Sequence, residues 1–502
     1  MVATVGAIAL IGVDARPVRV ECDTGRGLPQ LRLVGLPDTA LREAGERVRS
    51  AVRRSDFEWP PEKVVVNLAP AGLPKAGAGF DLPIAIGVLA SSGQVPPAAV
   101  RDLYAFGELG LDGRVRSVPG TLPAAAAAAR YGGRRFFVAD RSAVEASLVD
   151  GVEIVPVRDL AEAASILRGE SRARPPLHPV TTETDDGPDL SDVRGQSVGR
   201  RALEIAAAGG HHVLFVGPPG CGKSLLAARL PSILPRLSFE AALEVAAIHS
   251  VVGIRQPDAA LSFRPPFRAP HHTISIAGLV GGGPGIPRPG ELSSAHRGVL
   301  FIDELLEVPR HVLDALRQPM ESGEVTIVRS KATVTFPAEV QLVAAANPCP
   351  CGYLGHPKKS CGCHPNDIDR YRRRLSGPLL DRIDLAVELA PVEASALLGA
   401  PTGESSAEVF SRVQAARSTA IERWGPTTAR TVPIQIVRDT CEAEALTRLA
   451  DHVDRLGLSV RSFDRAVRVA RTIADLDGAS GVTTDHVDEA LAYRLAEPAH
   501  VA

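Results

Sequence analysis

One stretch constrains this chain more than any other: His212-Val213-Leu214-Phe215-Val216, then Gly217-Pro218-Pro219-Gly220-Cys221-Gly222-Lys223-Ser224. The short apolar run suits a buried parallel strand, and residues 225–230 suit a helix, which is the context a phosphate-binding loop requires. The glycines let successive backbone N–H groups turn towards phosphate oxygens, and the helix N-terminus adds partial positive charge. Lys223 then reaches the β- and γ-phosphates, and Ser224 ligates Mg²⁺. A chance glycine-rich turn does not bring strand, Lys-Ser pair and helix together. The pattern predicts an α/β fold around a parallel sheet, with ATP and Mg²⁺ as cofactors.

Two further strands supply the rest of such a site. Gly298-Val299-Leu300-Phe301-Ile302 runs into Asp303-Glu304. Behind a phosphate loop this reads as an acid that holds magnesium through water, Asp303, followed by a water-polarising one, Glu304. Val340-Gln341-Leu342-Val343-Ala344-Ala345-Ala346 ends at Asn347, which a third strand would set beside the γ-phosphate to orient the lytic water. Further on, Arg382 stands between Asp381 and Asp384. It is either a local ion-pair partner or a cation delivered to a neighbour's nucleotide, from which phosphoryl transfer gains greatly.

At 502 residues the chain needs more than one core. Its net charge of −2 offers no global attraction to nucleic acid, so any such contact needs a local basic patch. No uninterrupted run of about 18 apolar residues marks a membrane span, and the apolar opening, residues 2–13, reads with Val18 and Val20 as a first pair of strands. Of seven cysteines, four crowd between 349 and 363, which is not a secreted disulfide framework; a reducing cytoplasm is the expected compartment.

Composition divides the chain. Residues 1–168 alternate short strands with alanine-rich helical stretches such as 122–130. Residues 169–190, with Arg-Pro-Pro, His-Pro and a Thr/Glu/Asp cluster, read as a linker. Residues 191–392 carry the nucleotide motifs, and 393–502 turn helical, with three-to-four apolar spacing over 443–457 and 460–476.

With these motifs in order, the sequence resembles the magnesium-chelatase-like AAA+ ATPases from residue 191 onward, and the ComM/YifB family over its whole length. Asp192-Val193-Arg194-Gly195-Gln196, Arg268-Ala269-Pro270-His271-His272-Thr273, Pro289-Gly290-Glu291, Asn347-Pro348-Cys349-Pro350-Cys351-Gly352 and Ser376 to Asp384 carry the resemblance. It implies a homo-hexameric ring with ATP between subunits, Arg382 as arginine finger, and Arg461 as the sensor-2 arginine of a C-terminal helical domain. On spacing alone, Arg461 is a solvated helix-face charge.

The 80 positions from Lys223 to Asp303 exceed a minimal core. The Gly/Pro-rich residues 276–290 read as a mobile loop, similar to the family's pore-directed helix-2 insert. Residues 324–336 alternate around Arg329-Ser330-Lys331, a β-hairpin with a basic tip. It resembles the presensor-1 hairpin, which makes Arg329 and Lys331 candidate DNA contacts; solubilising surface charge is the alternative.

Cys349, Cys351, Cys361 and Cys363 form two Cys-x-Cys pairs suited to tetrahedral Zn²⁺, with His356 and His364 as spare ligands, or remain reduced thiols. Residues 1–168 look like a Lon-protease-like (ribosomal S5 domain 2-like) domain of α+β type, on Leu73-Pro74-Lys75-Ala76-Gly77-Ala78-Gly79-Phe80-Asp81 and Gly107-Glu108-Leu109-Gly110. A working site there needs a serine activated by a lysine. Those positions fall on Gly79 and Leu122, so the catalytic dyad is absent, and Lys75 reads as a surface or phosphate-binding charge. The resemblance implies a DNA translocase or branch-migration helicase. A remodeller of a protein partner and a scaffold that binds ATP without turnover are the competing readings.

Overall fold

A computed structural model describes residues 2–35, 38–177, 187–256, 258–329, 332–375, 377–392, 403–457 and 459–494. Two sheets organise the chain. The first has seven strands, drawn from residues 2–157. It begins with the antiparallel pair Val2–Ile11 and Asp14–Gly25, in register from Val2↔Asp23 to Ile11↔Asp14. Gly12, at φ +67°, supplies the left-handed conformation that this two-residue turn needs. The strand Val2–Ile11 alternates buried and exposed residues early and becomes buried on both faces later, where helices cover it.

The second sheet has five strands, all parallel. Their order is Phe267–Arg268, Val299–Ile302, Gln341–Ala346, Val213–Val216, Leu385–Glu388. Val213–Val216 therefore lies between two strands that come much later in the chain, and its C-terminal end opens at the switch point where such sheets bind ligands. The three central strands are almost wholly buried, as their unbroken apolar sequences require.

The C-terminal helices follow from capping and periodicity. Ser405 and Glu408 close a capping box on Ser406–Trp424, which ends at Gly425, φ +80°. Ser459 caps Val460–Leu476, whose Val467, Ala470, Ile473 and Ala474 face the core shared with the second sheet.

Two local expectations are corrected. The helix after the phosphate loop stops at Ala227 and restarts as Leu230–Ile233, because Pro231 has no N–H and crowds the carbonyl four residues back. Residues 276–290 form a helix, Ile276–Val280, and a small antiparallel pair, Gly281–Gly282 with Arg288–Pro289, rather than a structureless loop. Gly290 permits this, since a Cβ there would meet the backbone at Gly281 and Leu279. Within the expected linker, Arg174 pairs with Asp140 and Glu162, and residues 178–186 lie outside the described residues.

The two sheets' layers touch. Leu122 packs with Ala242, Ala246 and Leu261, and the Gly120 N–H donates to the Ser250 carbonyl (3.0 Å) and hydroxyl (3.1 Å). The Gly12 turn meets Val334 and Phe336 of the second hairpin, Glu324–Val328 with Thr333–Pro337.

Candidate nucleotide site

The phosphate loop leaves Val216 and is tied to the neighbouring strand at once, the Gly217 N–H donating to the Ala346 carbonyl at 3.1 Å. Gly220 and Gly222, at φ +78° and +94°, turn the chain into the helix Lys223–Ala227. Gly217 has no room for a side chain, because a Cβ would press on Leu389 and Cys221. Lys223 Nζ donates to the Gly217 carbonyl (2.6 Å), the Pro218 carbonyl (3.0 Å) and Asn347 Oδ1 (3.1 Å). The lysine is buried, and this desolvation pushes its ammonium below its ordinary value. Ser224 Oγ donates to Asp303 Oδ2 at 2.6 Å. The Ser224 hydroxyl keeps lone pairs free for a cation, with a carboxylate one hydrogen bond behind it, and such hard oxygens fit Mg²⁺.

Glu304 takes a left-handed backbone conformation, φ 49° and ψ 44°. For a non-glycine residue that costs on the order of 1–2 kcal/mol, a strain found where a side chain must be aimed. Its carboxylate lies 2.9 Å from His272 Nδ1, while its N–H donates to Asp303 Oδ1 at 2.9 Å. The five residues Lys223, Ser224, Asp303, Glu304 and Asn347 thus converge at the C-terminal ends of three adjacent strands.

Sequence reasoning gave no role to several supporting residues. His272 is one. Gln196 is another: its amide donates to the Cys221 carbonyl (2.8 Å) and the Ala390 carbonyl (2.6 Å), propping the loop from outside. Arg268 makes a paired contact with Glu291 at 2.7 and 2.8 Å. The only signal for these in the sequence was their membership of recognisable motif blocks; their partners are set by the sheet order.

Arg382 and Arg461 lie elsewhere. Val213 pairs with Leu385 and Val216 with Glu388, so Arg382 precedes the end of the sheet from which the phosphate loop is farthest. A four-residue strand separates the two rims by about 13 Å. Arg382 pairs with Glu321 (2.5 Å), not with Asp381 or Asp384 as its flanking acids suggest. Asp381 stands 3.9 Å from Arg461, which is largely exposed, and Asp384 pairs with Arg465 at 3.1 Å. Arg382, Arg461, Arg465 and Arg468 line one small cleft with Glu321 and Asp464.

Beneath that cleft lies a buried cluster. Asp384 accepts from the His212 N–H at 2.9 Å and lies 3.7 Å from His211 Nδ1. Burial opposes its ionisation, but His211 and Arg465 prevail and hold the carboxyl well below the usual carboxylate range. Burial holds both imidazoles below their ordinary values, and His212 Nδ1 accepts from the Leu342 N–H, which requires that nitrogen unprotonated.

The basic hairpin forms as predicted. The Arg329 N–H closes its turn onto the Ala332 carbonyl at 3.0 Å, and Arg329 is exposed. Lys331, like Ser330 beside it and Ser376 in the motif blocks, lies outside the described residues. The four cysteines of the 349–363 segment come together, with all four sulfurs within 4.8 Å of one another. His356 and His364 are not in this group. His356 Nδ1 accepts from the Lys358 and Lys359 N–H groups, and His364 caps the helix Pro365–Arg372.

In the first sheet's layer, Gly79 is buried and any Cβ on it would strike the Phe106 ring. Leu122 is buried against Ala242, Ala246 and Leu261 of the second sheet's layer. Lys75 is not a surface charge: it is 1% exposed, its ammonium donates to the Pro70 carbonyl, and burial lowers its pKa. Among the described residues, no helix is long and apolar enough to cross a membrane.

Comparison with known proteins agrees with this geometry. The family described as magnesium chelatase, subunit ChlI, matches residues 189–397; a second described as subunit ChlI of Mg-chelatase matches 20–142, and its C-terminal family matches 403–494. YifB of Escherichia coli is 44% identical over 491 residues, covering 97% of this chain and 96% of its own. The competence protein ComM of Haemophilus influenzae is 43% identical over 504 residues, with the same coverage. The magnesium-chelatase 38 kDa subunit of Rhodobacter capsulatus is 26% identical over 343 residues, 61% of this chain and 87% of its own. With a phosphate loop and acid pair at the switch point of an all-parallel five-stranded sheet, and relatives aligned almost end to end, the chain belongs to the ComM/YifB family of magnesium-chelatase-like AAA+ ATPases.

Proposed function

We propose that this chain is one subunit of a cytoplasmic homo-hexameric ring. The ring hydrolyses ATP between subunits and uses the turnover to move DNA, as a translocase or branch-migration helicase in recombination or natural transformation. One observation carries the shared-site reading: Arg382 and Arg461 share a cleft on the rim opposite their own phosphate loop. A head-to-tail neighbour brings that rim against the next chain's nucleotide, and such heterologous contacts close into rings.

Within each composite site, Gly217, Pro218, Pro219, Gly220, Cys221 and Gly222 wrap the phosphates and Lys223 neutralises them. Ser224 and Asp303 would hold Mg²⁺, which would supply charge neutralisation to the phosphates. Glu304 takes the proton of the attacking water, Asn347 orients that water, and His272 fixes the Glu304 carboxylate. Arg382 and Arg461 of the adjacent copy stabilise charge on the transferred group.

The DNA assignment draws support from the likeness to a competence protein and from the hairpin tip. Arg329 there lies close to Gly282 of the 276–290 insert, so both inserts present one surface. Repeated around a ring, Arg329 and Lys331 give a basic lining despite a net charge of −2 per chain. The likeness to a chelatase subunit favours a protein partner as the alternative cargo.

The test is the ATPase rate with and without single-stranded and forked DNA, with Glu304→Gln as control. Marked stimulation by DNA and displacement of a strand support the proposal. A DNA-indifferent ATPase that engages a protein supports the remodeller, and absence of turnover supports a scaffold.

A further inference from the structure

The cysteine knuckle is joined to the catalytic strand without a spacer. Asn347, whose amide oxygen receives Lys223, is followed by Pro348 and then Cys349, which is buried. Cys349 Sγ lies 3.4 Å from Cys351 Sγ and 3.6 Å from Cys361 Sγ, and Cys351 Sγ lies 3.6 Å from Cys361 Sγ. Four thiolates around Zn²⁺ at about 2.3 Å stand about 3.8 Å apart, close to the three distances above, and Cys363 Sγ lies within 4.8 Å of the other three. Backbone N–H groups already aim at the sulfurs: Cys351 N–H at Cys363 Sγ (3.4 Å), Leu354 N–H at Cys349 Sγ (3.3 Å) and Cys363 N–H at Cys361 Sγ (3.4 Å). Such donors stabilise thiolate charge, as the outer shell of a metal centre does.

The knuckle also touches the phosphate loop. Gly352, at φ +81°, packs so closely that a Cβ would lie 2.6 Å from Pro219 Cδ and 3.8 Å from the Asn347 amide carbon. On its far side, His364 caps the helix Pro365–Arg372, whose Tyr371 is buried in the cluster that holds Leu305 and Leu306. Arg374 then binds the Leu306 carbonyl at 2.9 Å, two residues beyond Glu304. A loop of this length has little apolar material of its own, so small cysteine-rich segments of this kind take their order from a metal.

We propose that Cys349, Cys351, Cys361 and Cys363 bind one Zn²⁺ ion as a tetrathiolate, and that this knuckle braces Pro219 and Asn347 so that ATP turnover depends on zinc. The dependence rests on the chain being an active ATPase; the metal site does not. With the ion removed, residues 349–363 lose their cross-link, Asn347 loses its anchor on one side, and Pro219 loses the surface it rests on. The four cysteines are positioning residues for the nucleotide site rather than catalytic ones.

The test uses full-length protein purified under reducing conditions without chelator. Zinc is counted by mass spectrometry, and Co²⁺ is exchanged into the site. The expected results are one zinc per chain and the intense sulfur-to-cobalt bands of a tetrahedral tetrathiolate. The variant Cys361→Ser/Cys363→Ser is expected to lose the ion, to raise KM for ATP and to lower kcat several-fold. Its thermal melt is compared with that of Cys441→Ser, a control outside the cluster. Reduced protein without zinc and without the cobalt bands overturns the metal site. A zinc-free variant that melts like the control and turns over ATP at the wild-type rate overturns the bracing. A variant that fails to melt cooperatively is replaced by wild type stripped with a chelator and reloaded, where turnover that ignores zinc content again overturns the bracing. Zinc-loaded wild type with no turnover would instead sink the ATPase reading and leave the zinc count standing.

Discussion

The chain holds two α/β layers, and they treat equivalent opportunities in opposite ways. In the second sheet, three adjacent strand ends deliver Lys223, Ser224, Asp303, Glu304 and Asn347 to one place, and the lysine is buried at a cost offset by three acceptors. In the first, the two positions that the sequence reading matched to a serine–lysine site hold Gly79, wedged under Phe106, and Leu122, packed on Ala242 and Ala246. A helix-covered sheet therefore gathers polar groups in one case and, at Gly79 and Leu122, serves packing in the other. Convergence of polar groups at a strand end, with their desolvation compensated, separates the two; the presence of a sheet does not.

The contrast is most exposed at Arg382. Arg382→Ala is expected to lower kcat by roughly 10³-fold while ATP binding persists, as loss of a cation supplied in trans does; steady-state rates alongside nucleotide titration check this. Glu304→Gln removes the base and is expected to cost at least about 10²-fold in kcat with ATP affinity retained. The reverse experiment introduces a serine and a lysine at those two positions of the first layer, as Gly79→Ser/Leu122→Lys. It is expected to gain no peptidase activity and to lose at least about 3 kcal/mol of stability, because a side chain enters a filled site and a charge enters an apolar interface. Peptide cleavage and denaturant melts decide it, and measurable cleavage would erase the distinction.

His272→Ala tests a smaller effect. Freed from its partner, Glu304 is expected to lose aim, lowering kcat about ten-fold with KM unchanged. The smallest effect is on pH. His211 and His212 have folded pKa values below the unfolded value near 6.5, so the unfolded chain takes up more protons as acid is added. Their contribution to stability is complete above about pH 7 and is lost progressively as pH falls below about 6.5. Thermal melts at pH 7.5 and 5.5 check it, and His212→Asn is expected to flatten the slope.

The nucleotide motifs were legible because strand, loop and helix are contiguous in sequence and each step has a physical reason. The hairpin Val2–Ile11 with Asp14–Gly25 and the helix Val460–Leu476 were legible from pattern for the same reason. What pattern missed depends on long-range register. Arg382 sits between two acids in sequence but pairs with Glu321, 61 residues away, because the short helix Gly377–Leu380 carries it there. His272 meets Glu304 only because Phe267–Arg268 adds in parallel beside Val299–Ile302. The break at Ala227 was readable from Pro231, and the order in residues 276–290 was hidden behind glycines that serve close packing rather than freedom. Lys75 misled because a lysine in a Gly/Pro-rich loop resembles a surface charge until the fold closes over it.

Subunit mixing tests the central claim, that the site is completed between copies, most directly. Lys223→Ala and Arg382→Ala proteins are assayed alone and then combined in equal amounts under conditions that let subunits exchange. Each alone is expected to be nearly inactive. In a mixed ring, about a quarter of the interfaces unite an intact phosphate loop with an intact neighbouring arginine, so turnover should recover to about that fraction of wild type. Recovery no greater than the sum of the two separate rates would contradict the account.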